Sequence, residues 1–261
     1  MQRVELPARK ITNENLMFDY QIKDNSLNNK TILITGAGDG IGKQAALTYA
    51  KLGATIILLG KTVKKLEEVY DEIVTLGAPE PAIIPLDMKG ATKQNYIDMA
   101  ATIDAQFGKL DGVLMNASML GELTPFTQIH EQIWDEVIKV NLTAQFLMTQ
   151  ALIPVLLKAE HPSLVFTSSG VGRKGRAFWG PYSVSKFGTE GMMQLIADEY
   201  DGTILRCNAI NPGATQTKMR ASAYPAEDKS QLASAADIMP LYVYLMSDDS
   251  KAVSGESINA Q

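Results

Sequence analysis

Short apolar runs alternate with longer segments of mixed character from residue 31 to the end of this chain. The apolar runs are rich in β-branched residues, which is typical of strands buried on both faces of a sheet. These predicted strands lie at 31–35, 54–59, 81–86, 112–115, 163–168 and 203–210. Helix formers occupy the segments between them, at 41–52, 63–75, 93–107, 131–158, the segment holding Tyr182 and Lys186, and 236–246.

This alternation predicts one doubly wound α/β domain, in which helices cover both faces of a parallel sheet. No internal repeat, low-complexity tract or linker divides residues 30–261, so they are expected to form a single domain. Residues 1–29 are polar and show no sustained period. We interpret them as an N-terminal extension over the surface of the core, mobile at its very start.

Bulk composition excludes several classes of function. Hydrophobic residues make up 46% and charged residues 20%, which suits a chain with a large core. The net charge of -5 argues against nucleic acid as a partner. No apolar run is long enough to cross a membrane, and the first twenty residues do not resemble a secretory signal. A cytoplasmic protein without a membrane partner is therefore expected.

The cysteine and histidine residues do not indicate a disulfide or a metal site. Cys207 is the single cysteine, so no internal disulfide is possible, which fits a reducing compartment. The two histidines, His130 and His161, lie near predicted loop or helix ends without a paired set of ligands. No metal site is expected.

A glycine cluster, Thr35-Gly-Ala-Gly-Asp-Gly-Ile-Gly42, separates the first predicted strand from the first predicted helix. Gly36 allows a tight turn, and Gly40 and Gly42 allow a close approach of the backbone to a pyrophosphate and to the strand. The helix N-terminus adds free N–H donors and a partial positive charge. A glycine cluster alone is often only a loop, but this position between strand and helix favours nucleotide binding.

The end of the second predicted strand bears on the choice of cofactor. A cofactor with a free 2′-hydroxyl usually meets an Asp or Glu there, whereas this chain has Gly60-Lys61. A cation without a carboxylate suits a 2′-phosphate, so NADP(H) is favoured over NAD(H). The alternative is that Lys61 is one solvated surface lysine among several, with Lys64 and Lys65.

Tyr182 and Lys186 are four residues apart and therefore share one face of a helix. A phenol with a pKa near 10 is a poor proton donor or base at neutral pH. A neighbouring ammonium favours the phenolate and lowers that pKa. The pair is one way to build a proton-transfer group for a carbonyl, although taken alone it also occurs by chance on solvated helices.

Together these motifs make the chain resemble the short-chain dehydrogenase/reductase family of the classical type, over residues 30 to 260. The surroundings of Phe166 to Arg173 look closest to a poorly characterised bacterial oxidoreductase branch. The resemblance implies a Rossmann-type domain and a catalytic set with a Ser thirteen positions before the Tyr. That set is Asn141, Ser169, Tyr182 and Lys186.

The resemblance also implies a set of cofactor contacts. They come from the glycine turn, the ends of the second, third and fourth strands, the catalytic helix and the segment after the sixth strand. They are Gly36, Gly38, Asp39, Gly40, Ile41, Gly42, Lys61, Asp87, Met88, Asn116, Ala117, Ser118, Tyr182, Lys186, Pro212, Gly213, Thr215 and Thr217.

Three positions depart from the family pattern. Ser118 replaces the glycine of the Asn-Ala-Gly segment, where its hydroxyl could tighten the pocket or form a local hydrogen bond. Asp39 stands where some NADP-preferring members carry a basic residue, which speaks against NADP(H). The chain also ends at Ser257 to Gln261 without the usual Asp-Gly-Gly tail.

By resemblance, the chain is an oxidoreductase that transfers a hydride between NADP(H) and the carbonyl or alcohol group of a small molecule. Tyr182 would exchange the proton, and Ser169 would polarise the carbonyl. Lys186 would lower the pKa of the phenol and hold the nicotinamide ribose, and Asn141 would anchor a water between Lys186 and solvent. The open alternative is a non-catalytic NADP(H)-binding regulatory protein on the same scaffold.

Substrate and assembly are less constrained by the sequence. The family places a mobile lid after the sixth strand, here at 214–234, and Phe178 and Trp179 are expected to wall the pocket with apolar surface. Arg173, Lys174 and Arg176 could attract an anionic substrate, or form a solvated loop, which we favour. The resemblance further implies a homodimer or homotetramer paired through the helices of Asn141 and Tyr182.

Overall fold

Seven parallel strands form the central sheet of the structure, a computed structural model that describes residues 10–12 and 15–261. A separate antiparallel hairpin near the N-terminus contains strands β1 (Lys10–Thr12) and β2 (Asn15–Met17). The strands of the main sheet are β3 (Thr31–Thr35), β4 (Thr55–Gly60), β5 (Ala82–Pro85), β6 (Gly112–Met115), β7 (Ser163–Thr167), β8 (Arg206–Asn211) and β9 (Ser257–Asn259). Their order across the sheet is β5-β4-β3-β6-β7-β8-β9.

The helices follow the strands in the expected alternation. They are α1 (Gly40–Lys51), α2 (Val63–Thr75), α3 (Lys93–Phe107), α4 (Glu131–Ile138), α5 (Ala144–Leu156), α6 (Gly180–Glu199), α7 (Lys218–Ala223) and α8 (Met239–Met246). The predicted helix at 131–158 is two α-helices joined without a break by a π-helical turn at Lys139–Thr143. Four short elements, β1, β2, α7 and β9, were not predicted, because their sequences carry too few residues to show a period.

The core confirms that the domain is doubly wound. Alternate residues of each strand point to opposite faces, so Ile32 and Ile34 pack with α1, α2 and α8, whereas Leu33 packs with α3, α5 and α6. All five residues of β3 are buried. A strand covered on both faces can be apolar throughout, which explains the continuous apolar runs in the sequence.

The topology determines where a ligand can bind. From β3 the chain runs outward through β4 and β5, then crosses back to place β6 on the other side of β3. The loops after β3 and β6 therefore separate in opposite directions and leave a crevice at the carboxyl ends of the strands. The glycine turn follows β3, and Asn116 follows β6, so both lie at this crevice.

The segment before β3 is held against the C-terminal part of the chain. Phe18 and Leu27 are buried, and the Phe18 ring lies 5.3 Å from the Tyr244 ring. The Phe18 N–H donates to the Ala260 carbonyl over 3.0 Å. The expectation of a mobile start concerns residues 1–9, outside the described residues, and the extension at 1–29 stays a prediction. In the described part of the chain, no helix is long and apolar enough to cross a membrane.

Candidate active site

The glycine turn between β3 and α1 is shaped by backbone geometry that other residues adopt with difficulty. Gly36 and Gly40 have φ angles of 67° and 52°, in the left-handed region. Gly42 lies so close to the turn that a Cβ would stand 2.2 Å from the Gly36 carbonyl oxygen and 2.7 Å from the Asn116 side-chain nitrogen. The helix can therefore begin directly above β3 only because this position has no side chain.

A cavity of about 510 Å³ opens at the crevice beside this turn. Its volume is within the range expected for a small-molecule site. The predicted residues that line it are Gly36, Gly38, Asp39, Gly40, Ile41, Lys61, Asp87, Met88, Asn116, Ala117, Ser118, Ser169, Tyr182, Pro212, Gly213, Thr215 and Thr217. Three predicted residues, Gly42, Asn141 and Lys186, lie behind the lining rather than in it.

Asp39 is the centre of a charged cluster that sequence reasoning missed. Its carboxylate caps α1 by accepting from the Gly40 N–H, and it also binds Lys65 at 2.5 Å and Lys218 at 2.9 Å. The hydrogen bonds from the two lysines hold the pKa of Asp39 down to about 2. The negative charge at the phosphate turn is thus balanced by two cations, one of which comes from α7, 179 residues away.

Tyr182 occupies the wall of the cavity and is only 7% exposed. Burial raises the pKa of its phenol to about 12, opposed by a hydrogen bond from Ser169. Burial is the larger cause of this shift, and the expectation that Lys186 together with an oxidised nicotinamide lowers the pKa stays a prediction. The Lys186 Nζ lies 5.6 Å from the ring centroid and donates to the Thr167 carbonyl over 2.7 Å, so its charge is directed to the backbone.

Lys186 is a buried cation with a buried carboxylate one helical turn further along α6. Burial lowers its pKa to about 8, and the charge of Glu190 opposes that effect. Glu190 in turn accepts from the Arg173 Nε at 3.2 Å. Arg173 also donates to Asn259 and Ser257 on β9. This network explains why Arg173 does not reach the cavity, and it agrees with the preferred interpretation that its loop does not recruit substrate.

The burial of Lys186 makes protein stability depend on pH in a defined direction. Its pKa falls from the usual 10.5 to about 8 on folding, so between these values the unfolded chain holds a proton that the folded chain has lost. Stability therefore rises with pH through this window. Between about pH 7 and about pH 9, we expect the free energy of unfolding to increase by ~1 kcal/mol more in wild type than in Lys186→Met.

Urea unfolding at the two pH values measures this difference. Lys64→Met is the matched control, because Lys64 is exposed on α2. Its pH dependence should follow that of the wild type. An identical slope in wild type and Lys186→Met would contradict the assignment of a depressed pKa to Lys186.

Asn141 lies in the π-helical turn between α4 and α5 and is fully buried. Such turns insert an extra residue into a helix and are frequent at functional sites. Its amide accepts from the Met119 N–H at 2.7 Å and donates to the Met119 carbonyl at 2.8 Å and to Ser185 Oγ at 3.1 Å. In this structure Asn141 therefore positions the loop after β6, and its predicted water contact stays a prediction.

The predicted aromatic wall is half right. Trp179 lines the cavity, with its ring 5.7 Å from that of Tyr182. Phe178 is 57% exposed and lies outside the lining. Its φ of 75° is left-handed, and this backbone turn directs the side chain to solvent while its carbonyl accepts from the Thr124 N–H. No feature of the sequence predicts a left-handed backbone conformation at this phenylalanine.

Comparison with known proteins agrees with this geometry. The model of the family described as short chain dehydrogenase matches residues 30–228. This chain belongs to the short-chain dehydrogenase family. The predicted resemblance is confirmed, and with it the oxidoreductase class.

Three relatives of this short-chain dehydrogenase cover nearly all of it. The uncharacterized oxidoreductase YciK of Escherichia coli K12 is 51% identical over 242 residues, which are 93% of this chain and 96% of YciK. A short-chain dehydrogenase from Shigella flexneri 2a, solved in complex with NADP, is 51% identical with a TM-score of 0.90. One from Escherichia coli CFT073, in complex with NADPH, has the same identity and TM-score. Both cover 92% of this chain and 100% of their own.

The residues of this short-chain dehydrogenase fit a dinucleotide on two observations of its own structure. Gly42 and Gly36 pack so closely against neighbouring protein atoms that a side chain would not fit, and this is the close helix–strand packing that a dinucleotide turn requires. Ser168, at the end of β7, contributes a buried Oγ to the lining that has no hydrogen-bond partner among the described residues. A buried polar atom without a partner costs stability unless a ligand or water satisfies it.

Proposed function

We propose that this short-chain dehydrogenase transfers a hydride between NADP(H) and the carbonyl or alcohol group of a small molecule, with Tyr182 as the proton donor and acceptor. One observation carries the proposal. Tyr182 and Ser169 lie on the wall of the same cavity that begins at the glycine turn. A nucleotide bound along that turn would therefore share the cavity with these two hydroxyl groups.

The protonation states of the site favour carbonyl reduction at neutral pH. With a pKa of about 12, the Tyr182 phenol keeps its proton and can donate it to a carbonyl oxygen. A hydrogen bond from Ser169 to the phenol oxygen stabilises the phenolate that remains. Lys186 adds positive charge behind the ring while it is protonated, below about pH 8. The bound cofactor supplies or accepts the hydride.

Support for NADP(H) over NAD(H) comes from the end of β4. Lys61 follows Gly60 and lines the cavity. Two relatives that are 51% identical bind NADP or NADPH in their solved structures. Asp39, which spoke against a phosphate in the sequence, is neutralised by Lys65 and Lys218. We therefore assign Lys61 to the 2′-phosphate.

Lys61→Ala should weaken NADPH binding by about tenfold and leave NADH binding unchanged, because a charge-assisted hydrogen bond contributes ~1.5–3 kcal/mol. Fluorescence titration with each cofactor measures both dissociation constants. Lys64→Ala is the matched control, since Lys64 is exposed in the first turn of α2 and lies outside the cavity lining. Equal effects of Lys61→Ala on both cofactors would contradict the assignment.

Turnover separates the proposed enzyme from the regulatory alternative. We expect NADPH oxidation with at least some members of a panel of aldehydes and ketones. Tight NADPH binding without turnover of any compound would favour a regulatory protein. The presence of Asn141, Ser169, Tyr182 and Lys186 together supports the enzyme, because a protein that only binds the cofactor has no need of the proton donor.

A homodimer or homotetramer is part of the proposal, and one face of α6 supports it. Val184, Phe187 and Leu195 are 44%, 46% and 57% exposed and lie on the same side of the helix. Phe146 on α5 is 49% exposed. Light scattering should give a mass of at least two chains, and Phe187→Asp should reduce it because a charge would be buried in the contact. A monomeric wild type would refute the pairing.

A further inference from the structure

We propose that the substrates of this short-chain dehydrogenase are uncharged ketones or aldehydes with an apolar ring that contains or carries the carbonyl. The proposal rests on the proposed hydride transfer and adds the chemical class of the molecule that accepts it. Its basis is the combination of an apolar aromatic wall beside Tyr182 with cations that are already paired with carboxylates of the protein.

The wall around Tyr182 combines the Ser169 hydroxyl with aromatic and apolar side chains. The Trp179 ring lies 5.7 Å from that of Tyr182 and 6.0 Å from that of Tyr224, with interplanar angles of 51° and 46°. Tilted rings at these distances leave faces and edges free to contact a third ring. Other apolar side chains that line the cavity include Met119, Leu120, Val140, Met219 and Ala223.

Five cations line the cavity, and four of them are paired within the protein. Lys65 and Lys218 share the single carboxylate of Asp39 at the phosphate turn, Lys89 binds Glu136 at 2.6 Å, and Arg220 binds Glu227. Among the residues that the structure describes, Lys61 is the one lining cation outside an ion pair. A substrate carboxylate would therefore have to compete with a protein carboxylate for any of the other four.

Lys61 is too far from Tyr182 to serve a small substrate. It follows β4, whereas Ser169, which hydrogen-bonds the Tyr182 phenol, lies just after β7. Two strands, β3 and β6, lie between β4 and β7. With neighbouring strands about 4.8 Å apart, the two strand ends are separated by roughly 14 Å. The free cation therefore serves the cofactor end of the cavity and not the reacting carbonyl.

Arg220 is the cation that could contact a substrate, but its guanidinium is occupied by contacts with Tyr224 and Glu227. The guanidinium lies 3.9 Å from the centroid of the Tyr224 ring, which in turn contacts Trp179. Its Nε donates to one carboxylate oxygen of Glu227 at 2.6 Å, and one of its two terminal nitrogens, Nη2, donates to the other oxygen. This bidentate ion pair has no net charge. The wall next to Tyr182 thus offers ring contacts without a net charge.

Matched substrate pairs test this inference. Cyclohexanone is compared with 4-oxocyclohexanecarboxylate, and benzaldehyde with 4-formylbenzoate, so that each pair differs by one carboxylate. We expect kcat/KM with NADPH to favour the uncharged member by about 100-fold, because the carboxylate loses water without gaining a partner. An uncharged open-chain ketone of similar size, 2-hexanone, should be turned over more slowly than cyclohexanone.

Removing the carboxylate that pairs with Arg220 should reduce the preference for uncharged over charged substrates. Glu227→Gln leaves the guanidinium without its carboxylate, so kcat/KM for the charged members should rise by about tenfold while the uncharged members change little. Asp228→Asn is the matched control. It removes a neighbouring charge whose contacts are to Ser230, and should leave the ratio within each pair as in wild type.

The outcomes distinguish this inference from the function on which it rests. Preference for the charged members in wild type would overturn the inference and leave hydride transfer standing. Equal kcat/KM values for the two members of each pair would also overturn the inference and leave hydride transfer standing. The same holds if Glu227→Gln and Asp228→Asn change the ratio of uncharged to charged kcat/KM alike. If a protein that binds NADPH turned over none of the four paired compounds or 2-hexanone, the proposed function and the inference would both fail.

Discussion

Tyr182→Phe should abolish most carbonyl reduction while NADPH binding stays intact. The Tyr182 phenol is buried on the cavity wall. Its pKa of about 12 means that it retains its proton at neutral pH. General acid catalysis contributes about 10²–10⁴ to a rate, so kcat/KM should fall by at least about a hundredfold. Phenylalanine keeps the ring that packs 5.7 Å from Trp179, and the fold should therefore be unaffected.

The measurement combines NADPH oxidation with a fluorescence titration of the cofactor. Tyr200→Phe provides the control, because it removes a phenol hydroxyl from the residue that ends α6, outside the cavity lining. That variant should retain wild-type kcat/KM. Near-normal turnover in Tyr182→Phe would refute the role of Tyr182. A parallel loss of NADPH binding would instead show that the substitution disturbs the cofactor site.

Gly42→Ala should weaken both the fold and the cofactor site. The added Cβ would stand 2.2 Å from the Gly36 carbonyl oxygen and 2.7 Å from the Asn116 amide nitrogen. One contact is to the backbone of the phosphate turn and the other is to Asn116 after β6, so relief requires the turn to move. Overpacking of this kind costs ~1–3 kcal/mol, which exceeds the gain of about 1 kcal/mol from replacing a helical glycine with alanine. The free energy of unfolding should therefore fall.

The same displacement should weaken NADPH binding by at least about tenfold, because a misplaced turn loses its contacts with the pyrophosphate. Urea unfolding and cofactor titration give the two quantities. Gly175→Ala is the control, since a Cβ there meets nothing within 4 Å and the residue is exposed. Its stability should match that of the wild type. Unchanged stability and NADPH binding in Gly42→Ala would contradict the requirement for a glycine at this position.

Sequence reasoning succeeded where a property depends on neighbours in the chain. The apolar runs predicted β3 to β8 because strands covered on both faces need no polar positions. The glycine turn was recognisable because it combines a strand, a tight turn and a helix start within a few residues. Errors appeared at elements without a local signal. The π-helical turn at Lys139–Thr143 has helical composition, and the three-residue β9 is too short to show a pattern.

The site shows the same division at the level of single residues. Tyr182, Ser169 and Lys61 were found from spacing and position, and all three line the cavity. The pairing of Asp39 with Lys218 was not foreseeable, because the two residues are 179 positions apart and meet only when α7 folds back on the turn. The pKa of Tyr182 in the folded protein was not foreseeable for a related reason. Helical spacing places a lysine nearby, but the largest cause of the shift is burial of the phenol, which depends on long-range packing.

The sequence by itself determined the doubly wound fold, the dinucleotide turn and the family, because these depend on periodicity and on motifs of a few consecutive residues. Only the tertiary structure decided the electrostatics of the pocket. Long-range packing buries Tyr182 and Lys186, directs the Lys186 ammonium to the Thr167 carbonyl and pairs Arg220 with Glu227. Burial and ion pairing are properties of the surroundings in space, and the order of residues does not specify them locally.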